Sequence, residues 1–132
     1  MQDFNLELKK TGKASTGVTE QNTALKFGSG SVNVFATPAM IGLMEKASIN
    51  CVDSYLPEGY ASVGTKIDIR HLAPTPVGVK VTATAELIEI DGRKLKFRVQ
   101  AFDNKEKIGE GTHSRYIIEL DDFIHRAGKK RV

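Results

Sequence analysis

Three side chains stand where their types could do chemistry: Thr37, Glu45 and His71. Glu45 is the most anomalous. At about 100° per residue it falls with Ile41, Ile49 and Val52 on an apolar helical arc. The narrow polar stripe of that helix is Lys46, Asn50 and Asp53. A carboxylate in an apolar arc is either paired and hydrogen-bonded or has a raised pKa, so a purpose is favoured over a bare surface role. Thr37 precedes Pro38, and a hydroxyl followed by proline is a strong helix start. The ordinary reading of Thr37 is a plain N-cap, but a helix N-terminus also favours developing negative charge. His71 closes the row Val63, Thr65, Ile67, Ile69, whose shared parity puts it on one sheet face, read as inward. On its own such a histidine is more often structural. His113 shares parity with Arg115 and reads as structural or surface, His125 in the polar tail reads as inert, and Gly64 reads as a bulge glycine.

Eight helical residues put Thr37 and Glu45 roughly 12 Å apart along the axis. A direct hydrogen bond between them is not expected.

The elements that must position these groups follow from the pattern. The helix starts at Thr37 and runs to about Tyr55, where Pro57-Glu58-Gly59 ends it. Met40, Met44, Ala47 and Cys51 share one face, and a helix apolar nearly all round is a buried one. Residues 4–26 are the least legible: 4–8 alternate weakly, and 17–27 read as a strand. Gly28-Ser29-Gly30-Ser31 is a flexible connection without the lysine of a phosphate loop or a dinucleotide fingerprint. Strands are expected over 62–71, 77–90, 93–102 and 107–120, with turns at Asp91-Gly92 and Asp103-Asn104-Lys105. Gly109 and Gly111 permit a bend or a close backbone approach, and the tail from Asp121 is a short helix or a frayed end. One highly apolar helix needs wrapping, and a curved antiparallel sheet with one apolar face can do it. The expected fold class is α+β, a hotdog fold over residues 1–132 as one domain. A helix merely lying on a sheet would read similarly.

Composition narrows the class. The chain has 132 residues, 40% hydrophobic and 27% charged, ordinary for a soluble globular domain. The net charge of +3 is partly the tail Lys129-Lys130-Arg131. There is no basic stripe with interleaved aromatics, so no nucleic-acid partner is expected, and the mild excess suits a phosphate-bearing small ligand. The single cysteine, Cys51, excludes an internal disulfide and fits a reducing compartment. No apolar run is long enough to span a membrane, and Met1-Gln2-Asp3-Phe4 does not open a signal peptide. The expected compartment is cytoplasmic.

Several stretches together resemble a known family. Val34-Phe35-Ala36-Thr37-Pro38, Gly42-Leu43-Met44-Glu45, Ser62-Val63-Gly64-Thr65, His71 with Ala73-Pro74-Thr75-Pro76, and Ile108 to Arg115 are similar, in order and spacing, to the hotdog-fold thioesterases related to fluoroacetyl-CoA thioesterase. The similarity covers nearly all of the chain after about residue 18. It implies hydrolysis of a short acyl-CoA in a homodimer, with Thr37, Glu45 and His71 as the catalytic constellation. It also implies that the Gly64 amide meets the substrate carbonyl and that Arg115 is a substrate-binding basic position. CoA is part of the substrate, and no cofactor or metal is implied. One departure is visible: the family's phenylalanine-bearing lid insertion is replaced by the short Gly28–Asn33 segment. A general small-acyl-CoA thioesterase is therefore the expectation.

In the mechanism this suggests, Glu45 attacks the thioester or activates water, and His71 moves a proton to the departing thiolate. Gly64 N–H and the helix N-terminus steady the oxyanion, and Arg115 or a lysine holds a CoA phosphate. Thr37 is expected at one end of the acyl group, with Glu45 and His71 at the other. Two other classes compete: a hotdog hydratase acting on an acyl-CoA, whose usual Asp-to-His motif is absent, and a non-catalytic acyl-CoA binder.

Overall fold

A computed structural model of the chain describes residues 4–131, so the reading of residues 1–3 and of Val132 lies outside it. Five strands form one antiparallel sheet: β1 (Thr11–Gly17), β2 (Tyr60–His71), β3 (Lys80–Asp91), β4 (Lys94–Phe102) and β5 (Lys107–Glu119). Their order is β1-β3-β4-β5-β2. The short helix α1 (Ala24–Phe27) precedes the long helix α2 (Thr37–Val52), which continues as a 3-10 turn to Tyr55. A third helix, α3 (Leu120–Gly128), follows β5 on the outside. This is the expected hotdog arrangement of a curled sheet around one helix.

The alternation of β3 and β4 explains the core. Val81, Ala83, Ala85 and Leu87 on β3 and Leu95, Phe97, Val99 and Ala101 on β4 are buried, and all meet the α2 side of the sheet with Met40, Met44, Ala47 and Cys51. The remaining faces of these strands carry the charged residues. The Asp91-Gly92 hairpin forms as expected, with Asp91 paired to Lys94 and Gly92 at φ 61°. The Asp103 turn is held by its Oδ1, which accepts from the backbone amides of Lys105 and Glu106.

Four expectations need correction. First, 17–27 is not a strand. Thr19 and Asn22 form a reciprocal capping box that starts a 3-10 turn, and Thr23 caps α1 immediately after it; local threonine caps override the weak alternation. Secondly, the real N-terminal strand is β1, whose sequence is almost free of large apolar residues. Its inward positions Gly12, Ala14 and Thr16 are small because α2 crosses close by: a Cβ on Gly12 would collide with the Ala47 carbonyl and sit 2.6 Å from Cys51 N. Thirdly, β3 begins at Lys80, because Val77-Gly78 is a turn with Gly78 at φ 97°. Fourthly, the length of the strands expected over 77–90 and 93–102 points to an open sheet edge there, but as β3 and β4 they are paired on both sides. The edges are β1 and β2.

Candidate active site

The site is built from α2, β2 and β5. At the start of α2 the N-cap is Ala36, not Thr37, and no side chain caps the helix. Thr37 is the first helical residue, and its hydroxyl is engaged elsewhere: Oγ1 lies 2.7 Å from Nδ1 of His71 at the end of β2. The Thr37 hydroxyl is therefore a partner of the imidazole rather than a cap. Backbone bonds fix this corner, since Phe35 N donates to Thr75 O and Ala36 N to Asn22 O. Thr37 and His71 face an open pocket of about 370 Å³, with Phe35, Leu72 and Ala73 as apolar wall and Ser29 on its rim. His71 Nε2 is buried without a hydrogen-bond partner. Burial pushes the His71 pKa below its ordinary value, partly offset by the Ala73 backbone, so the ring is neutral at pH 7.

Glu45 lies about two helical turns further along α2. With Ile41 and Ile49 it forms a half-buried arc of the helix. Its Oε2 lies 3.7 Å from Nη1 of Arg115 on β5, which meets the sequence requirement that this carboxylate be paired. Arg115 itself is buried. Its Nε donates to Ser62 Oγ at 2.7 Å and its Nη2 to the Ser62 carbonyl at 2.8 Å. Nη1 also reaches His113 Nε2 at 3.2 Å.

These contacts fix the tautomer of His113. Guanidinium nitrogens only donate, so Nε2 accepts, and the Nδ1–H donates to the Lys66 carbonyl at 2.8 Å. His113 is almost fully buried, and burial, with Arg115 adding to it, keeps its pKa low and the ring neutral. Of the two readings of His113, structural or surface, the structure takes the first. It is a structural member of the Glu45 cluster, with no free lone pair to act as a base.

Gly64 joins the same cluster. A bulge at Thr65 shifts the β2 register, with Gly64 opposite Arg115 and Lys66 opposite Ser114. The bulge reverses the parity assigned to the first half of the strand. Ser62 and Gly64 face inward there, not Val63 and Thr65, while Ile67, Ile69 and His71 keep the inward face beyond it. A Cβ on Gly64 would stand 2.8 Å from Glu45 Oε2 and 3.2 Å from His113 Cε1, so glycine lets the carboxylate and the imidazole close on the strand.

The predicted site residues thus fall into two groups. Thr37 pairs with His71, whereas Glu45 gathers with Gly64, Arg115 and His113. The expected grouping of His71 with Glu45 is not observed within one chain. Arg115, at 4% exposure with its nitrogens turned inward, is not placed to hold a CoA phosphate. Sequence reasoning passed over Ser62 and Asp53, which complete the second group: Ser62 Oγ donates to Asp53 Oδ1 at 2.6 Å and Ser62 N to Oδ2 at 3.1 Å. Only the bulge, invisible in the parity count, turns Ser62 inward. Among the described residues no cluster of three or more His, Cys, Asp or Glu could hold a metal ion, and no helix is long and apolar enough to cross a membrane.

A family model described as fluoroacetyl-CoA-specific thioesterase matches residues 18–121. The chain belongs to that family. The fluoroacetyl-CoA thioesterase of Streptantibioticus cattleyicolor is 46% identical over 97 residues, covering 74% of this chain and 70% of that one. A solved structure of the fluoroacetyl-CoA thioesterase FlK superposes with a TM-score of 0.89 at 36% identity, covering 96% of this chain and 98% of the other. A Thermus thermophilus protein described as a thioesterase superfamily member gives a TM-score of 0.85 at 27% identity over 96% of this chain and 95% of its own. A hot-dog-like protein from Thermanaerovibrio acidaminovorans, at 23% identity and a TM-score of 0.87 over 98% and 97%, shares the fold. The matched residues 18–121 include every member of the two residue groups.

Proposed function

We propose that the chain hydrolyses a small acyl-CoA thioester to the free acid and CoA. The observation that carries this reading is the Thr37–His71 pair at 2.7 Å, with a neutral imidazole whose Nε2 is buried and unpartnered, facing a pocket of small-molecule size. A buried nitrogen without a partner costs about 1–3 kcal/mol, a price tolerated where a ligand completes the bond.

Glu45 supplies the carboxylate that attacks the thioester carbonyl or takes a proton from the attacking water. Both routes need an anionic Glu45 with one side open, and its side chain is 40% exposed. Because Glu45 Oε2 closes on the β2 backbone at Gly64, a carbonyl that meets the Gly64 amide, the assigned oxyanion donor, lies beside that carboxylate. His71, neutral at the outset, takes up the proton that the attacking water loses, directly or from Glu45, and gives it to the departing thiolate, with Thr37 holding the ring. No metal or cofactor is required, because a thioester carbonyl is already electrophilic.

The working form is a homodimer. β2 is 12 residues long with one unpaired edge, and the half-exposed flank Ile41, Glu45, Ile49 lies beside it together with the 38%-exposed Ile67. A second copy would cover both the edge and this flank. It would also close the gap between the Thr37–His71 pair and a Glu45 cluster. The acyl group is small but not restricted to fluoroacetyl, since only the short Gly28–Asn33 segment, with Ser29 on the pocket rim, stands where the lid insertion would be. The proposed compartment is the cytoplasm, where CoA thioesters are available and Cys51 would stay reduced. The deciding experiment is thiol release from acetyl-, propionyl-, butyryl- and fluoroacetyl-CoA followed with a thiol-detecting dye. Absence of release from all four, with retained binding, would leave an acyl-CoA binder instead.

A further inference from the structure

We infer that Asp53 is a positioning residue for the thioester chemistry, acting on Glu45 through Ser62 and Arg115. This rests on the reading of Glu45 as the reacting carboxylate. Asp53 lies just past the end of α2 and makes no contact with the pocket at Thr37 and His71. Both of its oxygens are spent on one residue: Oδ2 accepts from Ser62 N and Oδ1 from Ser62 Oγ.

The consequence is directional. A serine hydroxyl has one proton. Because a carboxylate only accepts, that proton points to Asp53, and the lone pairs of Ser62 Oγ are left for Arg115 Nε at 2.7 Å. The Ser62 carbonyl takes Nη2, so two nitrogens on one edge of the guanidinium are held by the same residue. The plane of the group is then set, and Nη1 is the nitrogen presented to His113 Nε2 and Glu45 Oε2. The links Asp53–Ser62 and Ser62–Arg115 each have a fixed donor and acceptor, and the last, Arg115 to Glu45, is an ion pair at 3.7 Å. Asp53 also adds negative charge on the far side of a buried cation, one of the groups that keep Arg115 charged against burial.

A merely structural Asp53, tying the end of α2 to β2, would affect melting but not turnover of the folded enzyme. The test therefore reads kcat, KM and the Arg115 side chain in the full chain. Asp53→Asn keeps one acceptor but puts an N–H₂ group opposite one of the two Ser62 donors. The expected result is a fall in kcat of about tenfold with KM unchanged, because the hydrogen bond that aims a charged group is weakened. In a Ser62→Ala background Asp53→Asn should cost clearly less than it does alone, since the hydrogen-bonded route is already cut. Independent of activity, the Arg115 Nε–H proton, assigned through its own side-chain carbons by NMR, should exchange slowly in the native chain and fast in Asp53→Asn. Should Asp53→Asn fail to fold, Ser62→Ala alone must show the same kcat loss and the same loss of protection. Multiplying losses in the double variant, a raised KM with kcat intact, or an unchanged Arg115 signal would overturn the assignment. If the native chain releases no thiol from any acyl-CoA, the thioesterase reading fails, while the Arg115 signal still decides whether Asp53 orients the guanidinium.

Discussion

Arg115 Nη1 approaches Glu45 Oε2 to 3.7 Å, yet the two side chains are in opposite situations: the arginine is 4% exposed and the glutamate 40%. The cation is sealed into the sheet, and the anion leans over it with one side open. A surface ion pair would leave both ends mobile, and a fully buried one would leave neither available. This asymmetry lets a carboxylate sit beside an apolar helix arc and keep one side exposed.

Replacing Glu45 with glutamine preserves its volume but removes its charge. The expected outcome is a loss of turnover of about a hundredfold or more with the fold intact, as general-base or nucleophilic roles contribute on that scale. Steady-state thiol release and circular dichroism on the same sample check it. A loss below about tenfold, roughly 1.4 kcal/mol of barrier, would make Glu45 structural.

His113 stands apart from His71 by its bonds. Its Nε2 lone pair is taken by Arg115 and its Nδ1–H by the Lys66 carbonyl. His113→Ala should destabilise the chain by about 2–4 kcal/mol, from the cavity and the arginine left without an acceptor. Urea unfolding measures this. Any activity that survives should keep its dependence on pH, since this ring does not carry the proton.

The long helix and the three inner strands were legible because their apolar residues repeat at 3.6 and 2.0. β1 was not, because proximity to α2 selects glycine, alanine and threonine there instead of large apolar residues. At the candidate site, Glu45 was legible as a carboxylate on the wrong side of a helix. The company it keeps was not. The Thr65 bulge adds one residue to β2, so parity counted from His71 fails beyond it, and Ser62 and Gly64 change faces. Thr37 looked like a cap because caps are what threonines before prolines usually are. Its bond to a residue 34 positions away is a tertiary fact that spacing does not encode.

A second copy of the chain is expected on the β2 edge. Light scattering at micromolar concentration should give twice the chain mass. Ile67→Lys places a charge on the 38%-exposed inward row and should shift the protein toward monomer. A native chain that is monomeric throughout that range would remove the dimer and require the two residue groups to meet in some other way.

The Thr37–His71 pair makes the most specific prediction about pH. The imidazole accepts a proton only when neutral, so the rate should rise with pH through the His71 ionisation and level off above it. Burial disfavours the imidazolium, which places that limb below the unperturbed value of about 6.5. Activity is therefore lost on the acid side, at lower pH than an exposed histidine would give. His71→Ala should abolish the limb and most of the rate together. Thr37→Val keeps the shape of the side chain but leaves Nδ1 as unpartnered as Nε2 already is. It should lower the rate by about tenfold, the scale of one orienting hydrogen bond. A pH–rate profile of the native chain and both variants checks all three. If the acid limb survives in His71→Ala, the proton is carried elsewhere. The chemistry would then have to be rebuilt around Glu45 alone, since His113 has no nitrogen free to take it.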